Sequence, residues 1–365
     1  MTRKRILIVT LQDNGNMGNR LQNYALQEFL TKSGYDVSSL DVMRYVKTSL
    51  YDRCKYRIKL VLAHAGIRRF KHVLTGKIME EGGAAFTQEH IRNLIHERRE
   101  ELSGKDWSDY DLVITGSDQV WHNWGKIPNE LEYYYLDFVP ESKRVSYAAS
   151  FGFSEFPDPD VDTHKSGLKS MRAISCREQE ACKLINDLTG IEAVKVLDPT
   201  MLMGREFWEG VQKAPECKVE GKYLLMHFLG NVSSEQSEEI NRIAKQRDLE
   251  IIRINDISDR ARFVNSPAEF LYMISHADTV CTDSFHACVF TILFNRNLRA
   301  YQRTDTYVDV KQMFGRITEL LDSLGLTGNA YGYGDNLSTD LSESAVKYLE
   351  DERKRSNEFI GNILV

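Results

Sequence analysis

Val280-Cys281-Thr282-Asp283-Ser284-Phe285-His286-Ala287 is the stretch that reveals the architecture of this chain. Apolar, β-type residues lead up to Thr282, which predicts a buried strand, and the polar residues after it predict the start of a helix that runs to residue 294. A strand that turns directly into a helix is typical of parallel α/β sheets. His286 falls in the first helical turn, where free backbone N–H groups and the positive helix end favour an anionic ligand.

Two interpretations of this turn stay open at the level of the sequence. In the first, Asp283 or Ser284 is a helix N-cap and His286 is a hydrogen-bonded structural histidine, as is usual within an apolar run. In the second, His286 carries the chemistry, and Asp283 and Ser284 contact the substrate. The choice depends on which other residues lie beside the turn.

The size and charge of the chain narrow the class of protein. With 365 residues it exceeds the usual size of one hydrophobic core, so two domains are expected. Its 42% hydrophobic and 27% charged residues are typical of a globular protein. The net charge of -6 argues against nonspecific nucleic-acid binding, which needs a basic surface, so no nucleic-acid partner is expected.

The distribution of apolar runs and cysteines bears on location. The apolar run near residue 8 ends at Gln12, too early for a secretory signal, and no apolar stretch of about 18 residues occurs. The six cysteines form no Cys-x-x-Cys pair, which favours reduced thiols over disulfides or zinc. We therefore expect a cytoplasmic protein with no integral membrane segment. Because neither His-Glu-x-x-His nor a Walker sequence is present, no metal site is expected.

Strand-type and helix-type patterns alternate along both halves of the chain. Strands are predicted at residues 5–10, 37–40, 112–115, 144–148, 173–175, 193–197, 223–228, 250–254, 279–281 and 298–301. Helices are predicted near residues 234–247, 267–276, 284–294 and 310–323, and a helical insertion covers about residues 52–102. The alternation predicts an α/β protein with two Rossmann-like, doubly wound domains, placed at residues 1–170 and 171–340.

Four polar segments directly follow predicted strands. They are residues 15–19, 116–121, 177–178 and 282–286. Doubly wound folds bind ligands beyond the carboxyl ends of their strands, often in the cleft between domains. We therefore expect all four segments to face one crevice.

The first of these segments contains two glycines in Gly-x-x-Gly spacing, which is not the dinucleotide fingerprint. Asn16, Gly18 and Asn19 are nevertheless candidates for substrate binding. The glycines permit a tight turn, whether or not their N–H groups touch a ligand. The two asparagines either cap the following helix or hydrogen-bond a polar ligand.

The second segment begins Gly116-Ser117-Asp118-Gln119, which offers hydrogen-bond donors and a carboxylate that suit sugar hydroxyls. Asp118 can equally be a helix cap. Trp121 and Trp124 have two possible roles, since an indole can stack on a sugar face or close the hydrophobic core.

Arg177 is the most suitable partner for a carboxylate or phosphate, because its planar guanidinium presents five donors. The alternative is a surface ion pair with Glu178 or Glu180, which would contribute little energy. Both interpretations of Arg177, anion binding and a surface ion pair, stay open.

Six ordered blocks stand out along the chain. They are Gly15-Asn16-Met17-Gly18-Asn19 with Leu21-Gln22 and Ala25-Leu26-Gln27, then Gly116-Ser117-Asp118-Gln119-Val120-Trp121, Arg177-Glu178, Asp198-Pro199-Thr200, Thr282 to Ala287, and Gly315-Arg316-Ile317 with Leu320-Leu321 and Leu324-Gly325-Leu326. In this order the blocks resemble the polysaccharide pyruvyl transferase family over about residues 4–328. The resemblance implies a glycosyltransferase-B-like architecture, with the acceptor on the first domain, the donor on the second, and a C-terminal helix within residues 341–365 that returns to the first domain.

The resemblance also implies an activity. Members of the family transfer the pyruvyl group of phosphoenolpyruvate to a sugar of a cell-surface glycan or its precursor, usually as a cyclic ketal. A role in exopolysaccharide biosynthesis follows, with phosphoenolpyruvate as donor substrate, no cofactor, and a free or lipid-linked sugar acceptor that allows peripheral membrane contact. By position, Arg177 would bind the donor anion and His286 would transfer a proton. The oligomeric state is not indicated.

One position departs from the family pattern. Some relatives carry an arginine two residues before the histidine, where this chain has Ser284. The missing positive charge is expected to come from Arg299, Arg303 or Arg316.

Two other functions are compatible with the same cleft. A glycosyltransferase that uses a nucleotide sugar would bind nucleotide and consume no phosphoenolpyruvate. A noncatalytic glycan-binding protein would bind sugar and release no phosphate from any donor.

Overall fold

The computed structural model describes residues 3–42, 50–216, 219–254, 263–304 and 310–363. Its first half contains a five-stranded sheet in which all strands are parallel, in the order β3-β2-β1-β4-β5. The strands are β1 (Arg5–Val9), β2 (Asp36–Val42), β3 (Leu94–Glu97), β4 (Leu112–Thr115) and β5 (Arg144–Ser146). The central strands β1 and β4 are the most apolar and are buried along nearly their whole length, as expected for a parallel sheet that is covered on both faces.

Six helices and two short strands complete this half. They are α1 (Met17–Lys32), α2 (Leu50–His64), α3 (Lys71–His90), α4 (Glu130–Tyr134), α5 (Val161–Lys169), α6 (Gln179–Thr189), β6 (Ser175–Cys176) and β7 (Val194–Lys195). The predicted helical insertion at residues 52–102 contains α2 and α3, but it also contains β3, which the sequence patterns missed. Short 3-10 helices span Arg68–Phe70, Arg99–Gly104, Glu141–Lys143, Asp158–Asp160 and Thr327–Asn329.

The second half contains a four-stranded parallel sheet in the order β11-β10-β8-β9. Its strands are β8 (Tyr223–His227), β9 (Glu250–Arg253), β10 (Thr279–Thr282) and β11 (Asn297–Ala300). The remaining helices are α7 (Pro199–Leu202), α8 (Arg205–Glu209), α9 (Ser234–Arg247), α10 (Pro267–His276), α11 (Phe285–Leu293), α12 (Val310–Ser323) and α13 (Glu343–Ile363). Two parallel sheets flanked by helices confirm the predicted pair of Rossmann-like units.

The short strands β6 and β7 lie beside the first sheet. Ala173 forms a bridge with Val145, and Cys176 forms a bridge with Ala149, so the parallel pairing continues past residue 170. Cys176 also belongs to the same hydrophobic cluster as residues of β1 and β4. The domain border placed between residues 170 and 171 stays a prediction, and by these contacts β6 and β7 associate with the first sheet.

The last helix crosses back to the first half. Phe359, Ile360 and Ile363 of α13 pack in one cluster with Ile6 and Ile8 of β1. This confirms the expected C-terminal helix that returns to the first domain. Within the described ranges, each helix is too short or too polar to span a bilayer.

Candidate active site

A cleft of about 810 Å³ lies between the two halves of the molecule. The loop before α1 forms its base, with Gly15 and Gly18 among the lining residues. Helix α3 lines one side, and His227 and Ser284 line the other. Since the loops at this position follow the carboxyl ends of parallel strands, the cleft is the natural ligand site of the fold.

Asp198 connects a cluster of buried polar groups, and together with Arg177 and Arg316 it lines a separate small cavity of about 40 Å³. Its Oδ2 accepts hydrogen bonds from Arg177 Nη1 at 2.9 Å and from Ser117 Oγ at 3.1 Å, and lies 3.7 Å from His286 Nε2. Its Oδ1 accepts from the N–H and Oγ1 of Thr200. Burial alone would raise the pKa of Asp198, but the adjacent His286 and Arg177 lower it overall. The carboxylate is therefore charged at neutral pH.

Arg177 follows β6 and is almost fully buried. Its Nε donates to Glu178 Oε1 at 2.8 Å, while its Nη2 lies 3.9 Å from Asp118 Oδ1 and has no hydrogen-bond partner among the described residues. The guanidinium carbon lies 4.2 Å from the centre of the Phe285 ring, a cation–π distance. Although burial alone would lower the pKa of Arg177, the surrounding carboxylates raise it. The ion pair with Glu178 exists, but it is buried instead of lying on the surface, and one donor group remains unused.

His286 lies against the base of the cleft. Its side chain retains 9% exposure, and its Nε2 points towards Asp198 with no hydrogen-bond partner among the described residues. A methyl group on Gly18 would stand 2.3 Å from His286 Nδ1, so only glycine allows the two segments to approach this closely. Gly18 belongs to the first half of the molecule and His286 to the second, so the two halves are in contact at the imidazole ring. Gly18 also lines the cleft.

Ser284 is the N-cap of α11. Its side chain accepts from the N–H of Ala287 at 3.5 Å, and its own N–H donates to Thr282 Oγ1 at 3.0 Å. The N-cap interpretation is therefore confirmed for Ser284. Since Ser284 also lines the cleft, the positive end of α11 faces the space in which a ligand would lie.

Asp283 binds a neighbouring loop instead of capping the helix. Its carboxylate oxygens accept from the N–H groups of Leu229 and Gly230 at 2.7 and 2.9 Å. Arg303 Nε lies 3.5 Å from the same carboxylate. Burial raises the pKa of Asp283 above its usual value. Asp283 thus holds the loop after β8 next to the loop after β10.

The asparagines of the first loop are used within the protein. Asn16 caps α1, since its side chain accepts from the N–H of Asn19 at 3.2 Å. Asn19 Nδ2 donates to Asp118 Oδ2 at 3.2 Å. Although burial alone would raise the pKa of Asp118, its neighbours His286 and Arg177 lower it overall. The predicted capping role is confirmed for Asn16, whereas Asp118 serves as the acceptor that joins the first loop to the Arg177 cluster.

The loop after β4 approaches the same cluster through its backbone and side chains. Gly116 has a φ of 112°, and a methyl group there would stand 2.2 Å from the Tyr147 carbonyl oxygen. Gln119 follows in this loop, and its amide lies next to Arg316. Trp121 is fully buried, with its ring stacked on Tyr135 at 5.5 Å between centroids. Of the two readings for Trp121, the structure supports packing in the core.

One of three arginines was expected to supply the positive charge missing at position 284. The three differ in the groups that they contact in the structure. Arg316 lies in the cluster: with the Gln119 amide oxygen turned towards it, that oxygen accepts from Nη1 and Nη2 at 3.2 and 3.1 Å. Its Nε is buried without a partner among the described residues. Burial and the charge of Arg177 lower the pKa of Arg316 to about 10, so it is still a cation at neutral pH. Arg303 instead pairs with Asp283, and Arg299 is bound elsewhere in the second sheet.

Sequence reasoning assigned no role to Asp198 or His227, and it named Arg316 only as one of three arginines that could supply the charge missing at position 284. Asp198 follows β7 and His227 ends β8, so both share the strand-end position that identified the other candidates. Burial and the nearby Arg303 lower the pKa of His227 to about 4, and its Nδ1 has no partner among the described residues. Arg316 lies within α12, and in the sequence it belongs to the block Gly315-Arg316-Ile317.

Structure comparison finds similar folds in proteins of very low sequence identity. Arabidopsis thaliana UGT89C1 in complex with UDP-L-rhamnose is 9% identical, with a TM-score of 0.51, and the match covers 100% of both chains. A UDP-GlcNAc 2-epimerase from Methanocaldococcus jannaschii is 14% identical, with a TM-score of 0.46 over 95% of this chain and 92% of the other. MnaA of S. aureus, solved with UDP, is 9% identical, with a TM-score of 0.48 over 99% and 98%. At these identities the likeness concerns the fold, which is of the glycosyltransferase-B type.

No significant match is found among curated proteins. A family model described as polysaccharide pyruvyl transferase matches residues 16–301, which is well over half of the chain and includes the strand-end residues from Asn16 to His286. The chain therefore belongs to the polysaccharide pyruvyl transferase family.

Proposed function

We propose that this protein transfers the pyruvyl group of phosphoenolpyruvate to a sugar of a cell-surface glycan or its precursor and forms a cyclic ketal. The observation that carries the proposal is the shared contact of His286 and Arg177 with Asp198, where His286 also lies against Gly18 of the cleft. This arrangement places an imidazole, a group that can both donate and accept a proton, beside a permanent cation. The family membership supports the same reaction class.

The chemistry requires proton movement at two places. Ketal formation adds one proton to C3 of phosphoenolpyruvate, forms two C–O bonds at C2, and breaks the C2–O bond to phosphate. The sugar loses two hydroxyl protons, of which one balances the proton gained at C3 and the other leaves with phosphate. We assign these transfers to His286, whose ring is held between Gly18 and Asp198.

The donor carries a carboxylate and a phosphate, and the site offers positive groups for both. Arg177 Nη2 and Arg316 Nε are buried donors without partners among the described residues. The N-terminal end of α11, which begins after Ser284, adds the positive end of the helix dipole. In this proposal Arg316 compensates for the serine at position 284. Asn16, Gly18, Gln119 and Ser284 lie closest to the ligands, whereas Asn19, Gly116, Ser117, Asp118 and Asp283 position those residues.

We further infer where the reaction takes place. The donor would lie on the second half of the molecule and the acceptor on the first, on either side of the cleft. The described cysteines are all free thiols, which fits a reducing compartment such as the cytoplasm. The sugar acceptor would belong to exopolysaccharide biosynthesis, and neither a cofactor nor a metal ion takes part in the proposed steps.

The test is incubation of the purified protein with phosphoenolpyruvate and a panel of lipid-linked and nucleotide-linked sugars. We expect phosphate release that depends on one acceptor, with product identified by mass spectrometry. A ketal and an enol ether of pyruvate have the same mass, so proton NMR must distinguish them by a methyl signal or a vinyl methylene signal. A methyl signal is expected.

Other results would contradict the proposal in different ways. A vinyl methylene signal would replace ketal formation by enol ether formation. Release of nucleotide from a nucleotide sugar, without use of phosphoenolpyruvate, would identify a glycosyltransferase. Sugar binding without phosphate release from any donor would identify a noncatalytic protein.

A further inference from the structure

Helix α2 carries an exposed apolar stripe that the candidate active site does not use. Tyr51, Ile58 and Val61 are 71%, 60% and 66% exposed, and Cys54 is exposed between them. These positions follow the helical spacing i, i+3, i+7 and i+10, so they share one face. Large apolar side chains that are this exposed and lie in line are uncommon on a protein surface that contacts only water.

The opposite face of α2 anchors the helix to the protein. Leu60 and Ala63 pack with Leu74 and Ile78 of α3 and with Phe70 between the two helices. Since this face is used for internal packing, the Tyr51–Val61 stripe is directed away from the body of the molecule.

The charge around the stripe is strongly positive. Residues 50–79 contain eight Lys and Arg residues and a single Asp, whereas the complete chain has a net charge of -6. Lys55 and Arg57 are exposed and, by helical geometry, lie on the two flanks of the stripe. An apolar stripe between basic residues on an otherwise acidic protein matches the charge and polarity of an anionic lipid surface.

The stripe is also close to the cleft. Tyr56 of α2 lines the cleft, together with His72 and Val73 at the start of α3. Tyr56 lies on the side of α2 opposite to the stripe, so α2 stands between the cleft and any surface that binds the stripe.

We propose that α2 docks this protein on a membrane surface rich in anionic phospholipids. Tyr51, Ile58 and Val61 insert at the level of the headgroups, while Lys55 and Arg57 contact lipid phosphates. The docking itself does not depend on the proposed reaction, and it would suit a membrane-anchored acceptor.

The experiment is co-sedimentation of the full-length protein with two kinds of vesicle, pure phosphatidylcholine and phosphatidylcholine mixed with phosphatidylglycerol. We expect binding to the mixed vesicles only, and a decline in binding as salt screens the charges. The double variant Arg57→Glu with Ile58→Glu should bind the mixed vesicles at least about tenfold more weakly.

A matched control tests whether weaker vesicle binding depends on the place of the substitutions or only on the change in net charge. Val346 and Lys347 are an adjacent apolar and basic pair, both exposed on α13. The double variant Val346→Glu with Lys347→Glu changes the net charge by the same amount and should bind like the wild type. Equal weakening by both double variants, or no vesicle binding by the wild type, would overturn the proposal. So would a dimer in light scattering that only the α2 variant dissociates, since a second copy would then cover the stripe.

Discussion

Arg177 beside the first sheet and Arg299 in the second sheet are buried to the same extent, yet their surroundings differ. Their side chains are 3% and 2% exposed, and each binds a glutamate. Arg299 donates from Nε and Nη2 to Glu239, and from Nη1 to the carbonyl oxygens of Gly328 and Gly334. Arg177 instead contacts carboxylates and leaves its Nη2 without a partner among the described residues.

This difference separates a buried cation whose described donors are used within the fold from one that keeps a donor for the ligand of the proposed function. The donors of Arg299 fix the loop at residues 328–334 against the second sheet, so its interactions are complete within the protein. Buried polar groups normally have partners, and an unpartnered one needs an explanation. The open Nη2 of Arg177, next to the unpartnered Nε2 of His286, is explained when a ligand completes both.

The largest effect is expected for His286→Ala. Removal of the group that exchanges protons should lower kcat by roughly 10²- to 10⁴-fold, while phosphoenolpyruvate binding stays measurable by calorimetry. The exposed His276 on α10 provides a matched variant, His276→Ala, which should keep wild-type turnover. Equal activity of His286→Ala and the wild type would remove His286 from the mechanism.

The comparison of the two arginines is tested by Arg177→Ala and Arg299→Ala. Each removes one partner of a buried ion pair, so each should lower the free energy of unfolding by about 3–5 kcal/mol in urea titrations. At a temperature where both variants are folded, only Arg177→Ala should weaken phosphoenolpyruvate binding. Arg177→Lys keeps the charge without the planar donor group and should restore stability more than binding. An equal loss of phosphoenolpyruvate binding in Arg299→Ala would show that the two arginines do not differ in donor binding.

A smaller effect is expected for Gly18→Ala. The added methyl group would stand 2.3 Å from His286 Nδ1 and must displace the ring or the loop, so we expect a loss in kcat of roughly tenfold or more. Gly76→Ala is the matched control, because Gly76 also lines the cleft and an added methyl group there meets no atom within 4 Å. Unchanged kcat in Gly18→Ala would show that the position of the imidazole is not critical.

The smallest expected effect is the change in the free energy of unfolding with pH. Burial lowers the pKa of His164 and of His227 to about 4, below the unfolded value of about 6.5. Between these values the unfolded chain binds more protons, so stability rises with pH and is lost as the pH falls through this window. From pH 7 to pH 5.5 we expect a loss of roughly 1 kcal/mol per histidine. Urea midpoints should show a smaller pH dependence in His164→Gln, and an unchanged dependence would contradict the assignment.

Much of the fold could be predicted from local patterns. Strand β4 and helices α9 and α10 have the predicted bounds, because a short apolar run and a capped periodic segment each specify their own ends. Strand β3 was missed, since it is a four-residue edge strand with polar residues and follows directly on a long helix. The positions of the candidate site residues also followed from the rule of strand ends.

The partners within the site could not be predicted in the same way. Asp198 accepts from residues that are 21 and 81 positions away in the chain, and Arg316 reaches the amide of Gln119 from the far half of the molecule. Such pairings depend on how the two halves are placed, which no periodicity encodes. The burial of Asp283 against the loop after β8 depends instead on the pairing of β8 with β10 in the second sheet.

The contact between Gly18 and His286 limits how this protein can be recombined. Each lobe contributes one side of a contact that leaves no room for a single extra carbon atom. A hybrid enzyme assembled from the lobes of two homologues would therefore inherit a working imidazole only if its amino-terminal parent supplied glycine at the position of Gly18. Exchange of whole lobes is thus constrained in this molecule by the absence of a side chain on one α-carbon.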